Sequence, residues 1–150
     1  MSQSVEIVLF RLEHLWLFEP RKEHPLALED RLRTWRMATE YERAGPAFTM
    51  FAQGQVVACA GVAILSPGVG TVWMLTSELI EQHRLSFPRV VKRYLENIIR
   101  HFGLRRIQTV VPGEMHGAEK WIRFLGLRFE GTMCKVGAGG EDQHVYARLV

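Results

Sequence analysis

Glu114 and His116 stand two residues apart, just after the β-branched run Ile107–Val111. Either can accept a proton near neutral pH once its surroundings tune it, so both are candidate general bases. Glu114 reads more readily still as a loop carboxylate capping the start of the next helix, where the dipole favours negative charge. A second polar group lies upstream, with Leu75-Thr76-Ser77 closing an apolar run and Arg84 and Ser86 following. Ser77 and Ser86 have the character of successive N-caps, and Arg84 offers charge to an anion. His14, His24, His83, His101 and His144 fall in separate segments, which argues against a metal cluster. Cys59 and Cys134 sit in separate apolar runs without C-x-x-C spacing, which predicts buried free thiols rather than a disulfide or a metal site.

The elements that must carry these groups follow from periodicity. Val5–Leu12 reads as a first strand, apolar enough to be largely buried. A short helical turn over His14–Phe18 precedes a helix over Leu26–Arg43 with Leu28, Leu32 and Trp35 on one face, broken by Gly45-Pro46. Ala47–Ala52 and Val56–Leu65 flank Gln53-Gly54-Gln55 as a hairpin, and Ser66–Gly70 turns the chain into a further antiparallel strand, Thr71–Ser77. Glu78–His83 reads as an extra helical turn. Val90, Val91, Tyr94, Leu95, Ile98, Ile99 and Phe102 recur at the helical interval up to Gly103. Ile107–Val111 is the next strand, a helix begins at Ala118, and Phe129–Val136 with His144–Val150 forms a closing hairpin.

Composition bounds the classes open to the chain. At 150 residues and 47% hydrophobic, it supplies one core and predicts one domain over 1–150. The net charge of +3 is spread over several helices, including Arg31, Arg33, Arg36, Lys92, Arg93 and Arg100. Solvated helix faces account for it, and a nucleic-acid surface is not expected. No run of about eighteen apolar residues is present, and the N-terminus lacks a basic-then-apolar leader, so a cytoplasmic protein without a membrane partner is expected.

The stretch Ala118-Glu119-Lys120-Trp121-Ile122-Arg123-Phe124-Leu125-Gly126-Leu127 places Ala118, Trp121, Ile122 and Leu125 on one helical face, stops at Gly126 and passes into Phe129-Glu130-Gly131. This joint resembles the C-terminal part of the GNAT acetyltransferase superfamily. The order of elements, β-α-α-β-β-β-α-β-α-β-β, resembles it over nearly the whole chain and implies an α/β fold with a mixed sheet. The resemblance implies acyl-CoA between two splayed strands, Thr71–Ser77 and Ile107–Val111. Its pantetheine would lie on the strand edge at Leu75, Thr76 and Ser77, and its pyrophosphate at the next helix start, near Arg84 and Ser86. It also implies that an acceptor amine approaches near Glu114.

Three departures accompany the resemblance. His83-Arg84-Leu85-Ser86-Phe87-Pro88 holds no glycine where the family has a glycine-rich phosphate loop, and side chains crowd such a nest. Ile122 stands where members commonly carry a proton-donating Tyr, and Met115 where they often carry a cofactor-bonding Asn. Weak or absent acetyl-CoA binding is therefore expected. Thr71-Val72-Trp73-Met74-Leu75-Thr76-Ser77, with His83 and Phe87-Pro88-Arg89, further resembles small GNAT-like proteins of phages and prophages, some of them virion-associated. Two functions stay open: an acetyl-CoA-dependent N-acetyltransferase acting on a small-molecule or protein amine, and a non-catalytic virion structural module that keeps the fold. The second implies partners, either a homo-oligomer or phage structural proteins, with Trp16 and Phe18 as candidate anchors.

Overall fold

A computed structural model describes residues 4–17, 28–113 and 118–150. Its elements are β1 (Val5–Leu9), α1 (Leu28–Ala44), β2 (Ala47–Ala52), β3 (Gln55–Ser66), β4 (Val69–Thr76), α2 (Ser86–Phe102), β5 (Arg106–Pro112), α3 (Ala118–Phe124), β6 (Arg128–Met133) and β7 (Gln143–Leu149). Two 3₁₀ turns, Leu12–Leu17 and Glu78–His83, stand before α1 and α2. The seven strands form one mixed sheet in the order β1-β2-β3-β4-β5-β7-β6. The expected order of elements and the mixed sheet are both present.

Local chemistry sets the joints. Ala52 pairs with Gln55 across a two-residue turn in which Gln53 and Gly54 both have positive φ, 51° and 75°, the backbone a tight hairpin demands. At the end of α3, Gly126 takes φ 90°, and its N–H donates to the Arg123 carbonyl while that of Leu127 donates to Ile122. These two bonds make a Schellman stop and turn the chain directly into β6.

The chain divides into two compact units, Met1–Ala63 with Trp73–Phe87, and Ile64–Val72 with Pro88–Val150. The first is built on β1, β2 and most of β3. Its core gathers Phe10, Leu15, Ala38, Val56, Cys59, Ala63 and Trp73, with Trp35 and Tyr41 of α1 packed against it. The second contains the parallel ladder Val69↔Arg106, Gly70↔Ile107, Thr71↔Gln108, and the antiparallel pairs β5–β7 and β6–β7. Val91, Leu95 and Ile99 form the buried stripe of α2, with Ile107, Ile122 and Leu127 also buried.

Three sequence expectations need correction or restriction. β1 is mostly exposed, with Leu9 at 73%, because it is an edge strand of the sheet. Cys134 is exposed, because β6 ends at Met133 and the thiol falls in the turn beyond it; Cys59 is buried as expected. The side chains of Leu28 and Leu32, together with Phe18, His24, Glu114, Met115 and His116, lie outside the described residues.

Candidate functional site

The carboxyl half of β4, Trp73–Thr76, has β3 on one side. Which of its amides face away from β3 follows from two fixed points. The Ser77 N–H donates to the Val57 carbonyl at 3.0 Å, so odd positions turn toward β3. The Val72 carbonyl accepts from Thr109 Oγ1 of β5 at 3.0 Å, so even positions turn to the opposite edge. Alternation with a period of two then sends the Leu75 backbone toward β3 and the backbone groups of Met74 and Thr76 to the outer edge. The β4–β5 ladder comprises three pairs and ends at Thr71↔Gln108, so the strands do not pair along their full length. Sequence reasoning named Leu75 and missed Met74, because composition carries no signal for the parity of a strand; the Leu75 side chain packs on the core of the first unit.

Ser77 closes the strand from within. It is 2% exposed, and its Oγ lies 2.8 and 3.0 Å from the carbonyls of Val56 and Val57, sharing one proton between them. The same oxygen accepts from the Leu79 N–H at 3.3 Å, which makes Ser77 the N-cap of the Glu78–His83 turn, as its residue type predicts. Ser86 opens α2 as its first residue. Arg84 is 75% exposed and lies 3.9 Å from Glu81, leaving its charge in solvent. Pro88 lacks an N–H, so the opening turn of α2 presents one amide donor fewer than a helix start normally does. His83 is buried, and its Nε2 has no hydrogen-bond partner among the described residues.

The first unit also holds a polar chain in its interior. His14 Nδ1 and Thr49 Oγ1 are 2.8 Å apart, and Thr49 Oγ1 is 3.6 Å from Cys59 Sγ. Burial pushes the Cys59 thiol up to about 11 against a lesser opposing effect from Thr49, so it is a neutral core group and not a nucleophile. Burial also lowers the His14 pKa. Among the described residues, no three His, Cys, Asp or Glu side chains are grouped to hold a metal ion, and no helix is long and apolar enough to cross a membrane.

The backbone of Met74 and Thr76 therefore turns to the edge of β4 away from β3, and a capped turn separates that edge from the start of α2. No family model matches the chain, and no curated protein matches it. Solved structures do. A mutant of the spermidine N-acetyltransferase SpeG from Vibrio cholerae superposes with TM-score 0.69 at 14% identity, over 99% of this chain and 95% of that one. The IAA acetyltransferase of Bacillus cereus gives 0.69 at 13% identity, over 98% and 100%. A GNAT-family acetyltransferase of Bacillus anthracis gives 0.68 at 14%, over 97% and 94%. The fold of this chain is that of the GNAT acetyltransferases.

Proposed function

We propose that the protein is an acetyl-CoA-dependent N-acetyltransferase with a depleted phosphate-binding loop. The observation that carries this reading is the outward-facing backbone of Met74 and Thr76 at the end of β4, in a fold matched end to end by acetyltransferases. These residues fit the pantetheine arm of CoA, whose amides can continue the hydrogen bonding of a strand edge. Ser86 and the Arg84 guanidinium fit the anionic end, and the unmatched Nε2 of buried His83 is a polar atom in the same turn. Ser77 supports the site through the cap, since its hydroxyl is already committed inward.

Acetyl-CoA, when bound, supplies an acyl carbon activated as a thioester. The chain must hold that arm in register, bring an amine to it and remove the amine proton, for which the sequence offers Glu114 and His116. With no glycine in His83–Pro88 and no N–H at Pro88, several phosphate contacts of roughly 1 kcal/mol each are lost, which puts the CoA Kd at or above about 100 µM. Titration calorimetry with CoA, together with thiol release from acetyl-CoA in the presence of polyamines and small primary amines, tests the reading. Thr76→Pro removes an outward N–H without touching the β3 ladder and should weaken binding further. No heat and no transfer at millimolar CoA would overturn the proposal.

A second reading, a non-catalytic virion or homo-oligomer module of phage or prophage origin, is favoured by the same glycine-free turn and by Trp16. That indole is 71% exposed, with its centroid 4.5 Å from that of Trp35. Light scattering of the chain, alone and with phage structural proteins, would reveal such an assembly.

A further inference from the structure

We propose that His14 is a proton-operated latch in the first unit: uncharged, its imidazole caps the Leu12–Leu17 turn and holds it on the core; charged, it releases that turn. Arg11 immediately precedes the turn, and His14 is its third residue. The two exchange hydrogen bonds. The His14 N–H donates to the Arg11 carbonyl at 3.0 Å, and the Arg11 N–H donates to His14 Nδ1 at 3.2 Å. A reciprocal pair of this kind is a capping box, with an imidazole nitrogen in the place usually taken by a Glu or Gln oxygen. Unlike an amide oxygen, that nitrogen stops accepting once it takes a proton.

The same nitrogen ties the turn to the sheet. Thr49 Oγ1 of β2 lies 2.8 Å from Nδ1 and 3.6 Å from Cys59 Sγ of β3, and the rings of Phe10 and Phe51 meet the imidazole edge-on, with centroids 6.3 and 5.1 Å away. Because Nδ1 accepts from a backbone amide, the neutral ring carries its proton on Nε2. Protonation of Nδ1 divides its two contacts. Thr49 can follow, accepting from Nδ1–H while its own hydrogen turns to Cys59 Sγ; the Arg11 amide can only donate, and it is left facing another N–H. The cap is lost on a turn whose Leu15 lies in the core with Phe10, Val56, Cys59 and Trp73. Burial favours the neutral ring, and among the described residues the charges acting on it are Glu13 and Arg11 on its own segment and Glu42 of α1, the carboxylates opposing burial and the guanidinium adding to it. From β2 and β3 it faces the neutral Thr49 and, through it, a thiol that stays protonated. A histidine whose pKa is lowered by folding stabilises above its unfolded value of 6.5, and that contribution is lost as pH falls through the folded value. The latch is therefore closed at neutral pH and opens on acidification.

Nitrogen-15 NMR and hydrogen exchange of the full chain, from about pH 7.5 to 4, test this without any need for acetyl transfer. At neutral pH the His14 ring should carry its proton on Nε2. The Arg11 amide should shift with the same midpoint as the ring. Below that midpoint the exchange protection of the His14 and Leu15 amides, corrected for intrinsic rates, should fall about fivefold, the effect of one lost cap, while that of β2 holds. His14→Gln keeps an acceptor that does not titrate, so its turn should stay protected across the range. His14→Phe removes the acceptor, and its turn at pH 7 should exchange like that of the acidified wild type. A neutral ring protonated on Nδ1 would overturn the proposal. So would a turn whose protection is unchanged as His14 titrates, or a loss in His14→Gln equal to that of the wild type.

Discussion

The guanidinium of Arg148 on β7 grips Glu96 of α2 through two contacts, Nη1 to Oε1 at 2.6 Å and Nη2 to Oε2 at 3.3 Å, and also donates to the Leu125 carbonyl at 3.3 Å. One side chain thus ties strand, helix and the end of α3 inside the second unit.

That tie sets a pH dependence. Hydrogen bonds from Arg148 hold the Glu96 carboxyl below its ordinary pKa, with partial burial opposing. A carboxylate depressed in the folded state stabilises at pH above its unfolded value, and the contribution disappears as pH falls through the folded one. With Glu96 38% exposed the effect is screened, so Arg148→Ala should cost about 1 kcal/mol at pH 7. Urea melts at pH 7 and pH 3 check it: the gap between variant and wild type should narrow at the lower pH.

Gly61→Ala should be poorly tolerated. The added Cβ would lie 2.6 Å from Ala47 Cβ and 2.8 Å from both the Pro46 carbonyl oxygen and Trp73 Nε1, and the first two cannot swing aside. Overpacking of this kind costs about 1–3 kcal/mol, read as a lowered denaturation midpoint. An unchanged midpoint would mean that β2 and β3 shift more freely than their pairing implies.

The two thiols should differ sharply toward a thiol reagent at pH 8. Cys134 is exposed and should react promptly; Cys59 is fully buried with its pKa raised to about 11 and should react only on unfolding. Two equally fast thiols under native conditions would contradict the packing of the first core.

Ser77→Ala should destabilise by about 1–2 kcal/mol, because it removes a cap and a hydroxyl buried against two carbonyls. Hydrogen exchange should quicken at Leu79 and Ile80 before it does at β2.

Much of this was legible in the residues. Gly126, Gly103 and the Gln53-Gly54 turn mark joints whose chemistry is local, and the chain turns at each as its residue type dictates. The Val91, Leu95 and Ile99 stripe fixed α2 for the same reason. What escaped is set by partners distant in sequence. The exposure of β1 depends on its having a neighbour on one side alone, and the outward turn of Met74 depends on bonds from Ser77 and to Val72.

The even-numbered amides of β4 carry a consequence for how this chain can vary over time. Side chains at Met74 and Thr76 can be exchanged without altering which N–H and C=O groups reach the outer edge, since those groups belong to the backbone. A gain or loss of one residue between Val72 and Ser77 would instead interchange odd and even, turning the Leu75 backbone outward and the Met74 and Thr76 backbones inward, and sending each displaced side chain to the other face of the sheet. This strand is therefore free in its spelling and fixed in its length.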